Sequence, residues 1–186
     1  MPVKKFFVLI LFLVALTILP KASAAPVYIN TLPYDIASPG YYVLNVSNTS
    51  MNVSYAIKIN VSDVVLEGND NVIGGNGTAN TYGVWIISEG IVSNVTVKNL
   101  TIKDWANGIG MNSAGYCNIT NNTLYSNTDQ AISLYSSSNN TISNNNVSYN
   151  DGEGILITSS SNNNTITNNI VNGNGQAGGI LCYIQQ

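Results

Sequence analysis

A self-similarity with a step of about 23 residues constrains this chain more than any other feature. Ile119-Thr120-Asn121-Asn122-Thr123-Leu124, Ile142-Ser143-Asn144-Asn145-Asn146-Val147 and Ile166-Thr167-Asn168-Asn169-Ile170-Val171 are near copies, and Val97-Lys98-Asn99-Leu100-Thr101-Ile102 fits the same frame. A second set of apolar pairs repeats in phase: Ile57/Ile59, Val84/Ile86, Ile109/Met111, Ile132/Leu134, Ile155/Ile157 and Ile180/Cys182. Apolar residues alternate at i and i+2, so each unit is a short strand with one inward face. No helical stripe follows residue 25. A unit this short cannot bury its apolar face alone and must stack on its neighbours. The sequence therefore predicts an all-β solenoid, a parallel β-helix of five to six coils, with adjacent coils about 4.8 Å apart.

Stacking turns the sequence into columns. Asn99, Asn121, Asn144 and Asn168 share the inward parity of Val97, Ile119, Ile142 and Ile166, which predicts a structural asparagine ladder inside a turn. On that reading the sequons at Asn99 and Asn121 stay unglycosylated. Thr96/Lys98, Asn118/Thr120, Thr141/Ser143 and Thr165/Thr167 form an outward, hydroxyl-rich strip. Cys117 and Cys182 fall at least two coil steps apart, roughly 10 Å, beyond the reach of a disulfide.

Composition limits the chemistry. The chain has no His and no Arg, which removes Ser-His triads, His-ligated metal and an arginine clamp on phosphate. Residues 1–24 read as a signal peptide: Lys4 and Lys5, the apolar run Phe6 to Leu19, and the small-x-small site Ala22-Ser23-Ala24. The run is short of the roughly twenty residues that a spanning helix needs, so the mature chain is expected to be secreted or held at the cell surface without crossing the membrane. Its remaining Lys58, Lys98 and Lys103 face nine acids, a charge near −6 that disfavours nucleic acid. Residues 25–55 are expected to hold the first strands, and 56–186 the coils. No cap follows the last apolar strand, which leaves a fragment of a longer protein or end-to-end pairing as alternatives.

The stretches Gly40-Tyr41-Tyr42-Val43-Leu44, Ala56-Ile57-Lys58-Ile59-Asn60 and Val64 to Gly75 resemble the opening of right-handed β-helix proteins of the NosD and pectate-lyase-like type, the archaeal surface-protein variety in particular. The resemblance implies right-handed coils, an N-terminal capping segment within residues 25–55 over the first coil, an exported location and a carbohydrate-related role. The Arg base of the lyases and the His of the related polygalacturonases have no counterpart here.

One set of residues suits sugar chemistry. Asp104, Asp129, Asp151 and Glu153 all fall in the turn before the Ile109, Ile132 and Ile155 strands, with Trp105, Tyr125 and Tyr149 in the same segments. Stacked on successive coils, these carboxylates are expected roughly 5 Å apart, close enough for a cation such as calcium or for a carboxylate pair. Asp and Gly are also simply common in turns. The reading is a β-helix that recognises or coats extracellular polysaccharide without catalysis of its own. Three alternatives stand beside it: a polysaccharide lyase or glycoside hydrolase, a purely structural surface-layer or adhesin segment, and an ice- or crystal-binding face on the threonine strip.

Overall fold

The computed structural model describes residues 25–175 and 178–183; the expected signal peptide, residues 1–24, lies outside them. Among the described residues the structure is all β, and all of its strand pairs are parallel. The first sheet stacks β1 (Val27–Ile29), β3 (Gly40–Leu44), β5 (Val64–Glu67), β8 (Val95–Lys98), β11 (Asn118–Thr120), β14 (Thr141–Ser143) and β17 (Thr165–Thr167). The second stacks β2 (Tyr34–Ile36), β4 (Tyr55–Ile59), β7 (Tyr82–Ser93), β10 (Asn107–Gly115), β13 (Ile132–Tyr135), β16 (Ile155–Thr158) and β19 (Ile180–Cys182). The third stacks β6 (Val72–Gly74), β9 (Thr101–Lys103), β12 (Thr123–Tyr125), β15 (Asn146–Ser148) and β18 (Ile170–Asn172). The chain visits the second, first and third sheets in turn, which makes the structure a parallel β-helix.

The register follows the repeat. Ile57, Val84, Ile109, Ile132, Ile155 and Ile180 stack in one column, and Ile59, Ile86, Met111, Leu134, Ile157 and Cys182 in another. Val97, Ile119, Ile142 and Ile166 stack on the first sheet. Apart from Ile180 and Cys182, which lie exposed, these columns fill the bore of the solenoid, and removing their side chains from water supplies its main stabilising term. The hydroxyl strip is present as two outward columns on the same sheet. Cys117 and Cys182 are both free thiols, the first buried and the second exposed.

The asparagine ladder is displaced by one residue from its expected position. Asn99, Asn121, Asn144 and Asn168 adopt left-handed backbone, with φ of 55°, 56°, 58° and 55°. Asn tolerates that region better than other residues with a Cβ. A left-handed residue turns the chain through the corner and resets the in-out alternation. Asn121, Asn144 and Asn168 consequently lie exposed, and Asn99 is half-buried, donating from Nδ2 to Glu67 of the coil before it. The sequon at Asn121 is therefore outside the bore, and burial gives no reason for it to stay unmodified.

The inward positions belong to Asn122, Asn145 and Asn169. Asn145 Nδ2 donates to the Ile119 carbonyl at 2.8 Å, and Asn169 Nδ2 to the Ile142 carbonyl at 2.8 Å. The other two corners carry ladders as well. Asn127, Asn150 and Asn174 occupy one, with Asn127 and Asn150 donating from Nδ2 to the next asparagine at 2.8 Å. Asn140 and Asn164 occupy the other, assisted by Ser137 and Ser161. Through these contacts no buried side-chain nitrogen or oxygen among the described residues lacks a partner.

Candidate functional site

The candidate site lies on the outer face of the second sheet. Its outward positions form columns that the apolar repeat does not specify: Lys58, Trp85, Gly110, Ser133 and Leu156 in one, and Ile87, Asn112, Tyr135 and Thr158 in the next. Ahead of them Tyr55, Tyr82 and Asn107 stack in register where the strands begin. Gln130 and Glu153 occupy the corresponding lead-in positions of the next two coils, each two residues before its strand anchor, Ile132 or Ile155. A groove of about 360 Å³ runs between these columns, lined by Tyr82, Trp85, Asn107, Asn112, Asp129, Gln130, Ser133 and Tyr135 among others.

Glycine makes the groove. A Cβ at Gly110 would meet ring atoms of Tyr82 at 2.6 Å, so the bare backbone there gives the Tyr82 ring its place. Tyr82 lies flat against Trp85, centroids 4.7 Å apart and planes within 4°. Tyr55 extends the cluster, its ring tilted 50° to Trp85. Beside Trp85 a second depression opens, bounded by Lys58, Asn60, Ile87, Ser88 and Glu89. Its wall is the protruding segment around Glu89 to Ile91, next to which the pairing of β7 with β10 slips between Asn112 and Ala114.

The opposite rim is acidic. Gln130 Nε2 donates to Glu153 Oε2 at 3.0 Å and also to Asp129 Oδ1, bridging the two carboxylates. Partial burial, then the neighbouring Glu153, push the Asp129 carboxyl above the usual carboxylate range, against the pull of the Gln130 amide. Burial, then the Asp129 charge, raise the Tyr82 phenol.

The seven residues expected to line an acidic edge are not brought together. Asp129 and Glu153 meet through Gln130. Asp104 sits at a left-handed corner in line with Ser126, Tyr149 and Gly173 (φ 58°, 55°, 59° and 64°) and pairs with Lys103 at 2.8 Å. Asp151 is exposed, on the residue before the Gly152 that stacks on Asp129. The turns explain the scatter: the corner lies five residues before Ile109 but six before Ile132 and Ile155, which shifts the acids into different columns. Trp105 is wholly buried, with Nε1 donating to the Ile73 carbonyl at 3.4 Å, and offers no surface to a sugar. Tyr125 lies half-buried on β12 beside Lys103 in register, and Tyr149 is exposed on its corner over Gly173. Among the described residues no three acids or thiols converge as a metal site would require.

The expectation from sequence missed Tyr82, Trp85, Asn107, Gly110 and Gln130. The signal for two of them was present: the residue between each inward pair must face outward, which identifies Trp85 and Gly110 as neighbours.

With this geometry in view, the family model for a right handed beta helix region matches residues 39–183. The chain belongs to the right-handed β-helix family. Its coils are accordingly right-handed, as the sequence resemblance implied. No curated protein matches the sequence of this β-helix. Among solved structures it is similar to the A-module of mannuronan C-5 epimerase AlgE4 from Azotobacter vinelandii, at 17% identity and a TM-score of 0.48. That alignment covers 81% of this chain and 46% of the module, so the chain spans about half of the module's length.

Proposed function

We propose that this β-helix binds glycan in the groove on its second sheet and serves as an exported or cell-surface recognition module without turnover of its own. The observation that carries this reading is the parallel Tyr82–Trp85 stack in a groove that also presents amides and the Asp129 carboxylate. A pyranose ring has an apolar face and an equatorial belt of hydroxyls. The aromatic pair suits the face, and Asn107, Asn112, Gln130 and Asp129 suit the hydroxyls.

Hydrolysis is not favoured by this arrangement. A glycosidase sets two carboxyl groups on either side of the bond to be broken. Asp129 and Glu153 share one rim, held side by side by a single amide. The lysines do not replace a missing base, because Lys58, Lys98 and Lys103 are each engaged with a carboxylate.

The test is calorimetric titration of the chain against neutral, amino-sugar and uronic-acid oligosaccharides, with Tyr82→Ala and Trp85→Ala as comparisons. Saturable binding that weakens at least about tenfold in either variant is the expected result. Binding that survives both substitutions unchanged would remove this groove as the site, and release of reducing or unsaturated ends would overturn the non-enzymatic reading.

A further inference from the structure

The charge inventory around the groove narrows its ligand, an inference that rests on the glycan-binding reading above. The chain has no Arg and no His, and the three lysines of the described residues are all paired: Lys58 with Asp35 at 3.4 Å, Lys98 with Glu67 at 3.0 Å and Lys103 with Asp104 at 2.8 Å. Lys58 borders the depression beside Trp85 and is held by Asp35, and none of the three lines the groove itself. Asp129, by contrast, lines the groove, and Glu153 stands next to it with only the neutral Gln130 amide between them. Glu89, exposed on the other side of Trp85, borders the adjoining depression. With Lys58 and its partner Asp35 offsetting each other on the Glu89 side, carboxylates thus stand on both sides of the aromatic platform. A cation near it gains from the carboxylates and, against the ring faces, from the π system as well.

We propose that the glycan selected by this groove carries a free ammonium group, as in an oligomer of amino sugars, placed between the Tyr82–Trp85 stack and the Asp129/Glu153 rim. The same geometry disfavours uronic-acid oligomers, whose carboxylates would meet like charge at the Asp129/Glu153 rim in a groove that no lysine lines. An N-acetylated chain keeps the stacking surface and loses the charge, so it separates the two contributions.

The experiment titrates the full chain at low salt with three short probes of equal length: a glucosamine oligomer, its fully N-acetylated counterpart and a uronic-acid oligomer. The glucosamine oligomer is expected to bind about tenfold more tightly than the acetylated one, and the uronate not measurably. In the double variant Asp129→Asn/Glu153→Gln the preference for the amine should fall to about one. A second double variant, Asp63→Asn/Asp70→Asn, removes the same net charge from turns remote from the groove and should retain the preference.

Equal affinity for the amine and acetylated probes, both lost in Trp85→Ala, would overturn the ammonium inference and leave the groove as a glycan site. A preference that persists in Asp129→Asn/Glu153→Gln, or disappears in Asp63→Asn/Asp70→Asn, would assign it to bulk charge and overturn the inference too. Absence of binding by every probe would overturn both readings.

Discussion

Asn145 Oδ1 accepts two hydrogen bonds from Asn122 in the preceding coil, one from its backbone N–H at 2.9 Å and one from Nδ2 at 3.0 Å. Both residues are about 99% buried. The amide of Asn145 also donates to the Ile119 carbonyl and to Asn169, so one side chain satisfies groups in both neighbouring coils.

Asn145→Ala should therefore cost about 3 kcal/mol of unfolding free energy, because it leaves buried donors and an acceptor without partners at roughly 1–3 kcal/mol each. Asn121→Gly, one residue before a ladder position and already left-handed, should change stability by less than about 0.5 kcal/mol, since glycine enters that region freely. Urea denaturation of the two variants tests the displaced ladder directly. Equal losses in both would contradict it.

The two tryptophans should separate fold from binding. Trp105→Ala empties a fully buried site and should destabilise by about 3–5 kcal/mol. Trp85→Ala should leave the melting temperature nearly unchanged while weakening glycan binding. A melting curve and a titration on each variant suffice.

Gly110→Ser places a Cβ against the Tyr82 ring, which must swing aside. The stack with Trp85 is then lost without any loss of core. Reduced glycan affinity with a small change in unfolding midpoint is the expected outcome, measured by the same two methods.

Two carboxylates should give stability opposite slopes with pH. Burial by itself would raise Glu67, but hydrogen bonds from Asn99, the Asn69 N–H and Lys98, with the Lys98 charge, outweigh it and hold the carboxyl below its usual range. Its contribution is present above the unfolded-state value of about 4.3 and is lost as pH falls through the folded value. Glu67→Gln should thus be destabilising at pH 7 and converge on the parent in acid. Asp129 lies above its usual range, mainly through partial burial and then Glu153. Its ionisation opposes folding, so Asp129→Asn should raise the melting temperature at neutral pH, and the difference should vanish once the parent carboxyl is protonated.

The core columns were legible in the sequence because every coil repeats them: Ile109, Ile132 and Ile155 are the same residue in the same register. The ladder was misplaced by one position because parity was carried past Asn121 and Asn144, whose left-handed backbone breaks the alternation. The groove was harder to read for a related reason. Its residues are the ones that differ between coils: Lys58, Trp85, Gly110, Ser133 and Leu156 share a column and no chemistry. Periodicity reports what the coils have in common, whereas a binding site arises from what they do not. Trp105 looked like a partner for the acids on proximity in sequence alone, and the corner at Asp104 turns it into the bore.

Three asparagine ladders through the later coils make the length of this molecule discrete. A duplication or loss of one whole coil returns every corner to an equivalent neighbour and leaves all three ladders continuous. A change of any other size interrupts them together, at a cost of several unsatisfied buried groups. Descendants of such a gene can lengthen or shorten the rod by whole rungs, while the outward residues of each new rung are free to diverge.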